Sequence, residues 1–124
     1  NITLEKHIEE SVYINGDINL LTRAITNIIK NSIVHSPINE KVIISLNKKE
    51  LAVQNTGVNI PENEIENIFE AFYRVDKSRN RKTGGTGLGL YIVKTILDKH
   101  ENIDYTIESG ENSVIFKMKF IYKE

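Results

Sequence analysis

The nine residues from Lys82 to Leu90, Lys-Thr-Gly-Gly-Thr-Gly-Leu-Gly-Leu, constrain the fold more than any other stretch. Four of the chain's seven glycines fall inside them, and an apolar-periodic segment follows at once. Leu90, Val93, Ile96 or Leu97 and His100 recur at spacings of three and four, which predicts a helix over 87–100 with one buried face. The first turn of such a helix offers N–H groups without partners. Glycines before it let the backbone approach a ligand with no Cβ in the way. Together they make a seat for an anion, phosphate above all. The pattern is neither a dinucleotide fingerprint nor a P-loop, because a loop rich in Arg and Lys precedes it instead of an apolar strand and no Gly-Lys-Ser/Thr ending is present. A glycine-rich loop that merely caps a helix has the same local look, so the rest of the chain has to decide.

A second helix is predicted after the turn at Asn15-Gly16. Asp17 is a suitable N-cap, and Leu20, Leu21, Ala24, Ile25, Ile28, Ile29 and Ile33 form a wide apolar face. One stripe breaks that face. Arg23, Asn27, Asn31 and His35 follow one another at i, i+4 and so line a single side. Asn is a poor helix former and, once buried, needs partners for several hydrogen-bonding positions, so its repetition points to a polar ligand. The same stripe would also suit a solvated face.

Ile2–Leu4 and Val12–Ile14 read as two short strands joined by the charged stretch Glu5–Glu10. Ser36-Pro37-Ile38-Asn39 ends the helix, and Val42–Leu46 and Leu51–Gln54 then read as antiparallel strands around a turn at 47–50. The second strand stops at Asn55-Thr56-Gly57, a polar residue and a glycine at a strand end, where a sheet often holds a small ligand. Ile60-Pro61 opens a further helix with Glu62 and Glu64 near its positive end and Ile65, Ile68, Phe69 and Phe72 facing the core. Arg74, Lys77, Arg79, Arg81 and Lys82 then cluster with only Asp76 to offset them. Elsewhere such a run is a solvated loop. Beside the glycine seat, Arg74–Thr83 reads as a basic lid over phosphates that orders when they arrive. Ile103–Glu108 and Val114–Phe120 complete the sheet as a hairpin around 109–112.

At 124 residues the chain is one domain, without repeats or a dividing linker. Sixteen Lys and Arg against seventeen Asp and Glu leave a net charge of −1, so no global field favours nucleic acid or an anionic membrane. The absence of cysteine removes disulfides, thiolate nucleophiles and Cys-based zinc sites. No apolar run approaches the roughly 18 residues of a membrane span. The chain starts in mid-pattern and reads as an excised domain.

An Asn-bearing helix, a strand ending in Asn-x-Gly, an aromatic and basic segment, and a Gly-rich loop opening a helix follow in that order. The order resembles the catalytic, ATP-binding domain of bacterial sensor histidine kinases, of the wider group that includes Hsp90, gyrase B and MutL. Asn27–Ser32 looks like the N box, Asn55–Pro61 like the first glycine box, Phe69–Arg74 like the F box and Gly85–Leu90 like the second glycine box. The run Phe72–Ile96 is similar to membrane sensor kinases of Gram-positive bacteria. The fold this implies is the Bergerat ATP-binding fold, an α/β sandwich with a mixed, largely antiparallel sheet of about five strands and about three helices on one face.

The resemblance implies that Asn31 binds Mg²⁺ beside the phosphates and that Asn27 contributes to the same polar wall; an amide oxygen suits a hard cation that keeps several waters. His35 falls where the family often has Tyr near the nucleotide, and Val34 where it often has Lys or Arg. Asn55 takes the place of the Asp that accepts from the adenine 6-amino group. An amide can present either end, so unless a neighbour fixes its orientation, modest ATP affinity and weak discrimination against GTP are expected, with Asn55→Asp strengthening ATP. Gly57 lets the base approach, Ile60 follows in the same box, and Asn59 replaces a usual glycine. Arg79 and Lys82 reach the phosphates from the lid, and Gly85, Thr86, Gly87, Leu88, Gly89 and Leu90 form the seat. Ser113 stands near the adenine, with Asn112 in place of a glycine.

The implied function is phosphoryl transfer from Mg-ATP to a histidine. His7, His35 and His100 are the only histidines, and none sits in a His-Glu-Leu-Arg-type helix, so the acceptor is expected on a separate dimerisation domain. A response regulator would be an indirect partner, with no nucleic acid or direct membrane contact. The implied setting is the cytoplasm, under a membrane-anchored parent. Three other readings share the pocket. A gyrase-type ATPase would need a Glu where Asn27 stands, to activate water. A serine kinase of the anti-sigma type fits the F box less well, and a nucleotide sensor without kinase activity is favoured by Val34, Asn55 and Asn59.

Overall fold

Four segments of alternating apolar residues and one charged segment form the five described strands of one sheet: β1 (Thr3–Ile8), β2 (Lys41–Leu46), β3 (Glu50–Thr56), β4 (Ile103–Ser109) and β5 (Ser113–Phe120), in the order β1-β2-β3-β5-β4. The computed structural model describes residues 2–65, 67–69 and 89–122. Only β1 and β2 run parallel; the other neighbours are antiparallel. Period-two patterning buries Val42, Ile44, Leu51, Val53, Phe116 and Met118 on one face. That face is covered by α1 (Ile18–Val34) and α3 (Gly89–Leu97), whose Ala24, Ile28, Val93, Ile96 and Leu97 join the same core. Among the described residues a third helix, α2 (Glu62–Ile65), is a single turn. The α/β sandwich with a largely antiparallel sheet is therefore as expected.

The ends of α1 and α3 are tied together, which holds the helical layer in place above β3. Asp17 caps α1 through Oδ1, which accepts from the N–H groups of Asn19 at 2.9 Å and Leu20 at 3.0 Å. A cap of this kind contributes about 1 kcal/mol. The Asp17 N–H donates to His100 Nε2 at 3.2 Å, so the His100 proton is on Nδ1, which donates to the Ile96 carbonyl at 2.9 Å. Gly16 sits between them: a Cβ there would collide with Leu21 and press on His100.

Two local expectations are corrected. Val12–Ile14 is not a strand; Ile14 packs against the core, but Tyr13 is 81% exposed and no described strand pairs with the segment. The charged stretch is instead the strand. As an edge, β1 tolerates charges, and Glu5 pairs with His7 at 2.8 Å and lies 3.9 Å from Lys41 on β2. The hydrogen bond with His7, and secondarily the Lys41 charge, hold the Glu5 carboxyl below its usual range. The buried stripe of α1 is Leu21, Ala24, Ile28 and Ser32, while Ile33 is 41% exposed. The helix is therefore turned toward its polar side. Ile68 is buried as expected, and Phe69 packs edge-on against Tyr105 and Phe116, with ring centroids 5.5 Å and 6.1 Å away. Phe72 lies outside the described residues.

Candidate functional site

Asn31 and Asn55 meet in one cleft, although one lies near the end of α1 and the other near the end of β3. Turning α1 toward its polar side half-buries Asn31 beside Ile28 and Ser32. On β3 the alternation Leu51, Val53, Asn55 puts an amide at the third of three buried positions. The cleft between them is closed by Ile60, Leu90 at the start of α3, Ile107 on β4, and Val114 and Phe116 on β5, and encloses about 50 Å³. Asn55, only 7% exposed, donates from Nδ2 to the Ser32 carbonyl at 2.5 Å.

The loop after β3 is fixed by the hairpin turn beside it. Gly57 has φ 78°, and its N–H donates to the Asn112 carbonyl at 2.7 Å. Asn112, at φ 121°, donates its N–H to Asn59 Oδ1 at 3.0 Å, and the Ile60 N–H donates to Ser109 Oγ at 2.9 Å. Asn59 and Asn112, the two residues standing where glycines were expected, thus meet each other. A Cβ on Gly57 would strike Glu40, whose Oε1 accepts from Thr56 Oγ1 at 2.8 Å. Backbone conformation and the Glu40 side chain both favour glycine at this position.

Of the residues singled out in the sequence, Asn31, Asn55, Ile60 and Leu90 line the cleft. Asn27 is one turn back from Asn31 and half-buried, and Gly89 opens α3. His35 is the exposed C-cap of α1, its N–H bonded to the Asn31 carbonyl at 3.1 Å, and it does not line the cleft. Ser113 pairs with Thr56, one step out of phase with the Asn55–Val114 pair, so it faces the opposite side of the sheet. Val114 occupies the cleft position instead. The signal was in the sequence, since Val114 shares its period with Phe116 and Met118. Ser32, whose carbonyl holds Asn55, carried no such signal. Arg79, Lys82, Gly85, Thr86, Gly87 and Leu88, with the whole of the Arg74–Thr83 segment, lie outside the described residues.

A larger depression of about 440 Å³ lies at the other end of α3, lined by Asp98, His100, Tyr105 and Lys119 among others. Two of its polar groups, Asp98 and Tyr105, already serve each other. Asp98 accepts from Lys94 Nζ at 2.6 Å and from the Tyr105 hydroxyl at 2.7 Å, which lowers the Asp98 carboxyl pKa. Burial, then the Asp98 bond, push the Tyr105 phenol well above its usual value. These pairings hold β4 against α3.

A family profile described as "Histidine kinase-, DNA gyrase B-, and HSP90-like ATPase" matches residues 16–121. The chain belongs to this family. Among members of it, the sensor-like histidine kinase SenX3 of Mycolicibacterium smegmatis is 47% identical over 68% of this chain and 23% of its own length. The sensor histidine kinase WalK of Bacillus subtilis is 37% identical over 99% of this chain and 22% of its own length. The chain thus spans less than a quarter of these relatives. The catalytic domain of the histidine kinase ThkA superposes with a TM-score of 0.78 at 26% identity, over 97% of this chain and 78% of that one. The mycobacterial sensor histidine kinase MprB gives 0.76 at 25% identity, over 98% and 84%. The histidine kinase-like ATPase family sets the ligand class as ATP, and none of the described helices is long and apolar enough to cross a membrane.

Proposed function

We propose that this domain binds Mg-ATP in the cleft and passes the γ-phosphoryl group to a histidine on a separate dimerisation domain of the same kinase, from which a response regulator receives it. The observation that carries the proposal is the meeting of Asn31 and Asn55 beside the start of α3. Apolar residues Val53, Ile60, Val114 and Phe116 suit the faces of a purine, while the N-terminus of α3 suits phosphates. Gly89 supports the phosphate end. No described atom lies within 4 Å of where its Cβ would be, and a glycine, which costs a helix about 1 kcal/mol relative to Ala, leaves room there for the close approach of a ligand. The described residues enclose about 50 Å³, far less than the roughly 300–1,000 Å³ of a ligand pocket.

The donor set fits Mg²⁺ as a shared ion rather than a caged one. Among the described residues no group of three or more His, Cys, Asp or Glu is arranged to hold a metal, and Asn31, with Asn27 a turn away, offers amide oxygen to an ion whose other ligands are phosphate and water. When bound, the ion neutralises charge on the phosphates. In the transfer itself the bond from the γ-phosphorus to its bridging oxygen breaks, a phosphorus–nitrogen bond to the acceptor histidine forms, and ADP leaves. The relatives' printed names, sensor histidine kinases, support this outcome over a serine kinase. The setting proposed for the domain is the cytoplasmic side of a membrane-anchored sensor.

Asn27 also bears on what the chain does alone. An amide cannot take a proton from water, and a positioned general base is worth about 10²–10⁴-fold in rate. With γ-labelled ATP, the label is expected to stay on nucleotide when the chain is alone and to move to histidine when a cognate dimerisation domain is added. Sustained phosphate release by the chain alone would overturn this reading. ATP binding with no transfer to any supplied acceptor would instead mark a nucleotide-sensing module.

A further inference from the structure

We infer that the open edge of β1 docks on β1 of a second copy of this chain, antiparallel about a two-fold axis at Ile8, so that one sheet runs through both copies. β1 ends the sheet, and among the described residues nothing pairs with its outer side. The Thr3 N–H donates to the Glu40 carbonyl at 3.1 Å and the Glu9 N–H to the Leu46 carbonyl at 2.9 Å, so alternate residues from Thr3 to Glu9 spend their backbone groups on the β2 side. Leu4, Lys6 and Ile8, between them, turn N–H and C=O outward. In sequence Glu10 follows in the same phase, just before the backbone turns at Ser11, whose φ is 59°. Such a row of unpaired groups is a template for another strand.

Charge selects the occupant and the register. Read against its own reverse, Lys6-His7-Ile8-Glu9-Glu10 is self-complementary: Lys6 faces Glu10 of the second copy, His7 faces Glu9, and Ile8 faces Ile8 on the axis. Antiparallel partners share a face of the sheet, and outward-turned residues must meet one another, so the axis can fall only on Leu4, Lys6 or Ile8. An axis on Lys6 sets Lys6 against Lys6, and one on Leu4 pairs no opposite charges. The charges are also available. Among the described residues the side chains of Lys6, Glu9 and Glu10 make no hydrogen bond or ion pair, and His7 spends only Nε2, on Glu5. Ile8 is 55% exposed. Charged edges discourage pairing with other chains, and the order of these charges makes a copy of the same strand the exception. The contact is small, so the association is weak and reversible. None of its residues lines the cleft, and the inference stands apart from the nucleotide reading.

Sedimentation equilibrium of the whole chain tests this. Monomer is expected at about 10 μM, with dimer appearing toward about 1 mM at low salt and receding at about 0.5 M salt. Lys6→Glu or Glu10→Lys alone sets like charges face to face and is expected to weaken dimerisation at least about tenfold, while the two together restore it to within about threefold of wild type. Both positions are exposed, so the fold is not at stake. The axis has its own readout, because the chain has no cysteine of its own. Opposed Cα atoms in a bonded antiparallel pair lie about 5.5 Å apart, within reach of a disulfide, so oxidised glutathione is expected to join Ile8→Cys chains into a covalent dimer far faster than Leu4→Cys chains. A wild-type chain still monomeric at about 1 mM overturns the inference. So do single reversals that leave the equilibrium unchanged, a double reversal that does not regain it, or equal cross-linking at the two cysteine positions.

Discussion

Asn31→Ala is expected to weaken Mg-ATP binding by at least about 10- to 100-fold, the loss that follows even from removing an outer-shell partner of a metal ligand. The fold should not suffer. Asn31 is half-buried on the cleft side of α1, outside the Leu21, Ala24, Ile28 and Ser32 stripe that packs into the core. Alanine is also the better helix former, by a few tenths of a kcal/mol. The substitution therefore separates ligand binding from stability, which most changes in so small a domain do not. Calorimetric titration with and without Mg²⁺ checks it: the wild-type affinity should depend on the ion, and the variant should show a weak, ion-independent remainder. A folded Asn31→Ala chain with wild-type affinity would remove Asn31 from the ion site.

Phe116→Ala is expected to cost about 3–5 kcal/mol of stability, a large share of the 5–15 kcal/mol typical of a domain. Phe116 is 6% exposed at the centre of the sheet, stacked on Tyr105 with centroids 6.2 Å apart and planes 4° apart, and edge-on to Phe69 at 6.1 Å. Truncation empties the middle of that cluster. It also opens the wall of the cleft that Phe116 shares with Val114 and Val53. Thermal unfolding followed by circular dichroism should show a midpoint lowered on the order of 10 °C or more. Tyr105→Phe keeps the ring and loses only the hydrogen bond to Asp98, so its cost should stay near 1 kcal/mol. A Phe116→Ala change as small as that would mean that the cluster contributes little.

Much of this arrangement was legible in the residues, and the failures have physical causes. The N-cap at Asp17, the strand pair around the Asn47 turn and the last hairpin rest on local chemistry, and each stands where its residues put it. The turn is an example: Asn47 Oδ1 accepts from the N–H groups of Lys49 at 2.8 Å and Glu50 at 3.0 Å, all within four consecutive residues of the sequence. Asn31 was recognisable as a polar residue on an apolar helix. β1 was not, because an edge strand needs no apolar alternation and its pairing with β2 is parallel and remote in sequence. Ser32 was not either, because its part is played by a backbone carbonyl, which every residue has. The orientation of the Asn55 amide depends on bringing together residues 32 and 55, a tertiary event that no local pattern encodes.

The claim on which all of this turns is that the cleft between α1, β3, β5 and the start of α3 is where nucleotide binds. Amide chemical shifts of the isotope-labelled chain, titrated with a non-hydrolysable Mg-ATP analogue, test it directly. The account predicts saturable shifts at Asn31, Ser32, Asn55, Ile60, Leu90 and Val114, with Asp98, Glu101, Asp104 and Lys119 around the larger depression unmoved. Shifts concentrated at that second group, with Asn31 and Asn55 silent, would contradict it.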